Sequence, residues 1–249
     1  MFRIYVDVAK KASKYALRAW PVAFSVLLYG ALWLLGARFL GGSLVGGFLL
    51  GFLAAACFSS YLTLLDGAVA GKKAAWADLT RGFGAKFWDV ISVMFALWLL
   101  SLVTGILTGS AGPRADAIGA MVGLCIALFF NAVPEFLYLG SSRSFALLMD
   151  SARFMTRNWM AWFFPNVIFA LLLLLPLGLV RVQHPGDAVL LFSRVFSLDG
   201  PVTLFVTTPW VFKPVLLLFL HFVMVYRGLL FNELVHSNPR LRAFRAAQR

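Results

Sequence analysis

Charge is scarce in this sequence, and acidic charge is the scarcest. Only 13% of its 249 residues are Asp, Glu, Lys or Arg, and only ten of those are acidic. Soluble domains carry ~25% charged and ~45–50% apolar residues. Here 61% of residues are hydrophobic and the mean hydropathy is +0.87. Those values exclude the soluble and disordered classes and leave an integral membrane protein. Cysteine is nearly absent. Cys57 and Cys125 lie in separate apolar runs, so no disulfide framework or cysteine-based metal spacing exists and both are expected to be small hydrophobes. HExxH, P-loop, dinucleotide-binding and CxxC motifs are all missing, and no Ser–His–Asp set has a plausible common depth. No segment between apolar runs exceeds about 30 residues, which excludes a soluble catalytic or nucleotide-binding domain. No catalytic activity, metal or cofactor is expected. Strand-like alternation is lacking too, so the bilayer must be crossed by helices.

What is present is a series of long apolar runs. A membrane helix needs ~20 mostly apolar residues, and six segments qualify: Trp20–Leu40, Ser43–Leu65, Phe87–Leu107, Ala117–Leu139, Met160–Val180 and Phe212–Leu234. The predicted fold is all-α, a polytopic membrane protein of six transmembrane helices in one integral membrane domain. Seventeen of the 22 Lys and Arg residues fall on one side of these spans; Arg38, Arg114, Arg181, Arg194 and Lys213 fall on the other. By the positive-inside rule both termini face the cytoplasm, which an even number of spans allows. The first residues, MFRIYVDVAKKASKYALRAW, do not have the form of a cleavable signal peptide, because their charged part is long and no A-x-A-like site follows. The net charge of +12 resides in the segments between apolar runs, where it suits anionic lipid headgroups rather than nucleic acid.

Three lead-in segments are alike: KYALRAW (14–20), RGFGAKFW (81–88) and RFMTRNW (153–159). Their tryptophans are 68 and 71 residues apart. Each following hairpin returns to an acidic residue: Asp66, Glu135 and Glu233. The first two are 69 residues apart and the last two 98, a surplus of 29 that matches a long outer loop at about 182–210. We therefore expect three tandem helix hairpins, at about 1–70, 71–140 and 141–249, each preceded by an amphipathic interfacial helix. In the first such helix Tyr5, Val8, Ala12, Tyr15 and Ala19 form the apolar face; in the second Trp76, Leu79, Phe83 and Phe87; in the third Phe145, Leu148, Ala152, Met155 and Trp159. Those faces are expected in lipid, with Lys10, Lys11, Lys14, Arg18, Arg81, Lys86, Arg153 and Arg157 toward headgroups. The outer loop, broken by Pro185, Pro201 and Pro209, is expected to cover the outer mouth of the bundle or to dock a partner.

Polar groups within spans are costly and therefore informative. Asn131, Glu135 and Tyr138 share a face at i, i+4 and i+7. Glu135 is either a working group in the bilayer or a residue of the inner boundary and its packing. Asp66 and Glu233 at equivalent repeat positions favour the second. Arg227 lies six residues before Glu233, so ~9 Å deeper and on another face of the last helix. It is expected to reach across to Glu135. His221 is expected to be a packed, hydrogen-bonded histidine, with a proton relay as the alternative, and Asn166 and Asn232 inter-helix hydrogen-bond donors. Asn131, Glu135, Tyr138, His221, Arg227, Asn232 and Glu233 thus form the candidate intramembrane polar network. Gly42, Gly46, Gly47 and Gly51, with Gly119 and Gly123, make GxxxG pairs that allow close helix approach within the bundle or between protomers.

The stretch PEFLYLGSSRSFALLMDSARFMTRNW (134–159), together with six helices behind basic lead-ins, resembles a loose group of multi-pass bacterial membrane proteins. That group includes the membrane domain found ahead of some glycerophosphoryl diester phosphodiesterases. The shared pattern is an acidic residue closing the fourth helix, an amphipathic segment with a serine, and a basic-Trp lead into the fifth; Glu135, Ser151 and Trp159 carry it here. The resemblance implies the fold and a place in the bacterial inner membrane. The diesterase barrel is absent, so that activity does not carry over. The expected function is that of a non-enzymatic accessory or scaffold subunit contacting membrane lipids and other membrane subunits or further copies of itself. The competing expectation is a transporter or channel component using Glu135, Arg227 and His221.

Overall fold

A computed structural model describes residues 2–110, 112, 115–174 and 210–236. All regular structure among the described residues is helical. The helices are α1 Phe2–Arg18, α2 Pro21–Leu40, α3 Leu44–Val69, α4 Trp76–Ala85, α5 Phe87–Gly109, α6 Ala115–Phe129, α7 Val133–Leu139, α8 Ser144–Leu174 and α9 Lys213–Val235, the last preceded by a 3₁₀ turn at Trp210–Phe212. Among the described residues five segments are long and apolar enough to cross a membrane: Pro21–Leu40, Leu44–Val69, Phe87–Gly109, Ala117–Leu139 and Trp210–Val235. Large apolar side chains on them stand exposed, among them Leu34, Phe39, Phe48, Trp98 and Ile106. Apolar surface of that extent calls for lipid or a partner rather than water.

Local chemistry sets the helix ends. Pro21 opens α2 at a position where its missing N–H costs nothing. Gly42, at φ +102°, makes the turn into α3, and the Ser43 hydroxyl accepts the Gly46 N–H at 2.9 Å to cap that helix. At the start of α4 the Asp78 carboxylate reaches back to accept the Ala75 N–H at 3.3 Å. The predicted fifth span begins inside α8, a single helix of 31 residues running on from the amphipathic segment. Its end, the outer loop at 182–210 except Trp210, and Arg240, Arg242, Arg245 and Arg249 lie outside the described residues.

The chain forms two compact units: Met1–Val93 with Pro134–Ser144 and Leu217–Arg249, and Met94–Val133 with Phe145–Leu216. Their boundary passes through α5 and α9 rather than between the expected hairpins. In the first unit, α2 packs along α3, and both α1 and α4 also pack against α3. This differs from the expectation for the lead-in helices. Val8, Ala12, Ala16 and Ala19 of the first are buried by protein. In α4, Gly82 is buried and Phe83 meets the Tyr29 ring edge-on at 6.0 Å. The apolar faces expected in lipid are largely spent on α3 and its neighbours. In the third lead-in the buried face is Leu147, Ser151, Phe154 and Met155, whereas Phe145 and Trp159 are exposed. The inward stripe is rotated by about one residue from the predicted one, because Ser151 turns in to make a hydrogen bond.

The contact of α4 with α3 is held by polar groups as well. Ser59 and Ser60 are fully buried on α3. The Ser59 hydroxyl donates to the Gly82 carbonyl at 2.7 Å and accepts the Lys86 N–H at 2.9 Å. The Ser60 hydroxyl donates to the Leu79 carbonyl and accepts from the Tyr29 hydroxyl, each at 2.8 Å. The last turn of α4, whose carbonyls have no helical partner, is thus closed by α3. Ser59→Ala is expected to cost about 1–3 kcal/mol by leaving the Gly82 carbonyl and Lys86 amide without that partner. Hydrogen exchange should show protection falling across Trp76–Ala85 while Phe87–Gly109 is unchanged; unaltered protection in α4 would mean the serine does not hold it.

Candidate functional site

The predicted fourth span is one apolar segment by composition but two helices in the structure. The chain leaves α6 at Phe129, passes through a turn over residues 130–132, and re-enters helix at Val133. Pro134 has no N–H to continue the ladder from the preceding turn. Neighbouring side chains of the second unit hold the break. The Trp162 indole N–H donates to the Asn131 side-chain oxygen at 2.8 Å, and the Ser151 hydroxyl donates to the Phe129 carbonyl at 3.1 Å. Trp162 is fully buried and its ring packs edge-on against Phe154 at 5.3 Å.

Beyond the break, α7 belongs to the first unit and carries Glu135 and Tyr138. Glu135 is 0% exposed. Both its carboxylate oxygens lie in the guanidinium fork of Arg227 on α9. Arg227 Nε donates to Oε1 at 2.7 Å and an Nη to Oε2 at 3.0 Å. This two-pronged geometry is the strongest form of the pair, since one planar donor set matches one planar acceptor set. The expected reach of Arg227 to Glu135 is therefore present. Glu135 is a packed interior carboxylate whose charge is balanced by its partner.

Close backbone approach makes the pair possible. A methyl group on Gly228 would lie 2.5 Å from the Tyr138 hydroxyl oxygen and 2.6 Å from a methyl of Val69. Glycine here lets α9 settle against α7 and the end of α3. Phe136 and Phe231 then meet edge-on at 4.8 Å. The Tyr138 hydroxyl is buried without a hydrogen-bond partner, within electrostatic reach of Glu135, Arg227, Tyr61 and Asp66.

No family model, curated protein or solved structure matches this chain.

The structure divides the predicted polar network. It joins Glu135 and Arg227 and sets Tyr138 beside them. Asn131 bonds to Trp162 in the second unit. Glu233 is exposed and Asn232 half-buried. Asn166 is buried and donates to the Trp162 carbonyl one turn back at 2.7 Å, within its own helix rather than to a neighbouring one. His221 is 2% exposed, yet neither ring nitrogen makes a hydrogen bond, so the expectation of a hydrogen-bonded histidine is corrected. The lead-in cations are exposed, except Lys86, which is half-buried. Arg153 makes a 3.5 Å pair with Asp150 in its own exposed turn, and such pairs contribute little.

The first of the two alternatives for the GxxxG glycines, close approach within the bundle, is not met. A methyl group on Gly42, Gly47, Gly51 or Gly123 would meet nothing within 4 Å. One on Gly119 would make only an ordinary contact with Thr108 at 3.6 Å, and one on Gly46 would meet its own preceding turn and the Ser43 cap. Among the described residues these GxxxG pairs do not mediate close helix crossings. Gly82 and Gly228 do, and neither belongs to a GxxxG pair. Sequence reasoning also missed Tyr29, Ser59, Ser60 and Trp162. The available signal was FSSY (58–61), adjacent hydroxyls in an otherwise apolar helix.

Among the described residues no cluster of three His, Cys, Asp or Glu side chains could hold a metal ion. Cys57 and Cys125 are free thiols, the first buried and the second exposed.

Proposed function

We propose that this chain is a non-enzymatic, multi-pass inner-membrane protein that serves as an accessory or scaffold subunit. In this reading six helices cross the bilayer as three tandem hairpins with both termini cytoplasmic, and the second half of α8 begins the fifth of them. The distribution of Lys and Arg supports the orientation. Trp20, Trp88 and Trp159, which end the three lead-ins, are all exposed, as tryptophans of an interfacial belt are. The observation that carries the functional reading is the complete burial of Glu135 with both oxygens held by Arg227. A carboxylate committed in this way locks helices together, whereas a carrier's carboxylate must change partners during each cycle. The lead-in cations then face anionic headgroups, and the exposed apolar helix surfaces face lipid, a partner subunit or a second copy.

A second reading, a transporter or channel component, has one specific observation in its favour. The interruption at residues 130–132 resembles the discontinuous helices that build transporter sites. Native mass spectrometry of the protein released from its own membrane separates the two. The scaffold reading expects a stoichiometric protein partner and no Glu135-dependent flux in proteoliposomes. A protein recovered without a partner, whose solute or proton flux is abolished by Glu135→Gln, would replace it with transport.

A further inference from the structure

Beside His221 lies a cavity of about 290 Å³, near the ~300 Å³ lower end of ligand pockets. It belongs wholly to the first unit. Ser13, Ala16, Leu17 and Trp20 of the α1 end form one wall, and His221 and Phe222 of α9 are on the other. Residues 13, 16, 17 and 20 recur at i, i+3, i+4 and i+7, so one helix face makes that wall. The lining is almost entirely apolar. Ser13 commits its hydroxyl proton to the Ala9 carbonyl at 2.9 Å. The Ala16 backbone approaches the His221 ring as a hydrogen-bonding group, but the contact falls short of hydrogen-bond distance and angle at both ring nitrogens.

An uncharged imidazole offers one donor and one acceptor, and leaving both unmet in apolar surroundings is costly. Water suits the site poorly, because a buried water needs two to four polar partners. A molecule with an apolar tail and one hydrogen-bonding group suits it well. The rim supplies a second criterion. Leu17 and Trp20 are well exposed at the mouth, and the exposed Lys14 and Arg18 flank Leu17 on the same helix. Two cations beside an apolar slot match a phosphate above an acyl chain.

We propose that this cavity binds a single anionic glycerophospholipid. One acyl chain occupies the space between α1 and α9, its ester group hydrogen-bonds to His221, and its phosphate lies at Lys14 and Arg18. Both ring nitrogens are covered by the surrounding side chains, so the lipid meets them after a turn of the imidazole about its soft terminal torsion. The inference goes beyond the scaffold reading and depends only on the chain's residence in a membrane. A retained lipid and a retained protein partner are separate masses, so either can fail without the other.

The test is native mass spectrometry of the delipidated full-length protein in detergent, titrated with dioleoyl-phosphatidylglycerol or dioleoyl-phosphatidylcholine. The wild type is expected to hold one phosphatidylglycerol and to prefer it to phosphatidylcholine. His221→Phe should weaken that retention about tenfold, the scale of one lost hydrogen bond, and His221→Gln, which keeps a donor and an acceptor, should restore most of it. Leu17→Trp, a bulkier residue at the exposed mouth, should weaken it comparably and keeps the test decisive if the buried position tolerates no change. The Lys14→Gln/Arg18→Gln pair should erase the headgroup preference. Equal retention by wild type, His221→Phe and Leu17→Trp, or equal affinity of the wild type for the two lipids, overturns the proposal.

Discussion

Replacing Arg227 by methionine is expected to cost about 3–5 kcal/mol, the range for removing one member of a buried ion pair. Glu135 would keep a carboxylate at 0% exposure with no guanidinium to balance it. Glu135→Gln should cost less. Arg227 retains 12% side-chain exposure and a long apolar stem, so its charge has a route toward polar surroundings. The amide left behind still accepts one of its hydrogen bonds. The double variant Glu135→Gln/Arg227→Met should be milder than Arg227→Met alone, because no uncompensated charge remains. Reversible unfolding in bicelles, arranged as a double-mutant cycle, measures the coupling directly. Additive losses would show that the two charges do not depend on one another, and the structural role of the pair would fall.

Gly228→Ala is expected to destabilise the protein by about 1–3 kcal/mol through overpacking. The added methyl has no soft neighbour to displace. It would stand 2.5 Å from the Tyr138 hydroxyl oxygen, on a ring that is itself buried, and 2.6 Å from a Val69 methyl. Since Arg227 precedes Gly228, pushing α9 outward also opens the fork that holds Glu135, so a purely steric change should loosen an electrostatic contact. Combining Gly228→Ala with Tyr138→Phe and Val69→Ala removes both obstructing groups and should recover most of the loss. Tyr138→Phe on its own should be nearly neutral, because the hydroxyl it deletes is buried without a hydrogen-bond partner. The same unfolding assay decides the matter. If Gly228→Ala matches wild type, α9 has slack at this crossing and glycine is not required there.

Together these variants bear on the question raised by the PEFLYLG stretch. A carboxylate within an apolar segment is placed there by the requirements of packing as well as of chemistry. Its partner could be anticipated because Arg227 lies within an apolar helix, deeper than Glu233 and on a different face from it, so that it needs a partner on another helix. The polar residues that clip α4 to α3 could not be anticipated in that way. Ser59 and Ser60 have no charge to balance, and a serine in an apolar helix is as easily satisfied by its own preceding turn as by a neighbouring helix. Ser92, whose hydroxyl donates to the Trp88 carbonyl at 2.7 Å, does the former, and Ser59 does the latter.

Hydropathy, charge placement and helix-stop chemistry are sums over consecutive residues, so the sequence alone determined the helical membrane class and placed four of the spans within a few residues of the observed helices. It also determined which charges had to find each other, because an unpaired charge in an apolar run has few permitted partners. The tertiary structure decided what depends on neighbours distant in the chain. It broke the fourth span at residues 130–132, where Trp162 and Ser151 satisfy the freed polar groups. It turned the faces of the first two lead-ins onto α3, because protein offered hydrogen-bond partners and shape that lipid does not. It made Gly36, Gly82 and Gly228, rather than the GxxxG glycines, points of close approach to another helix, since a glycine matters only where another element crosses it. And it left His221 beside a cavity instead of a partner, an outcome that no local pattern around residue 221 could signal.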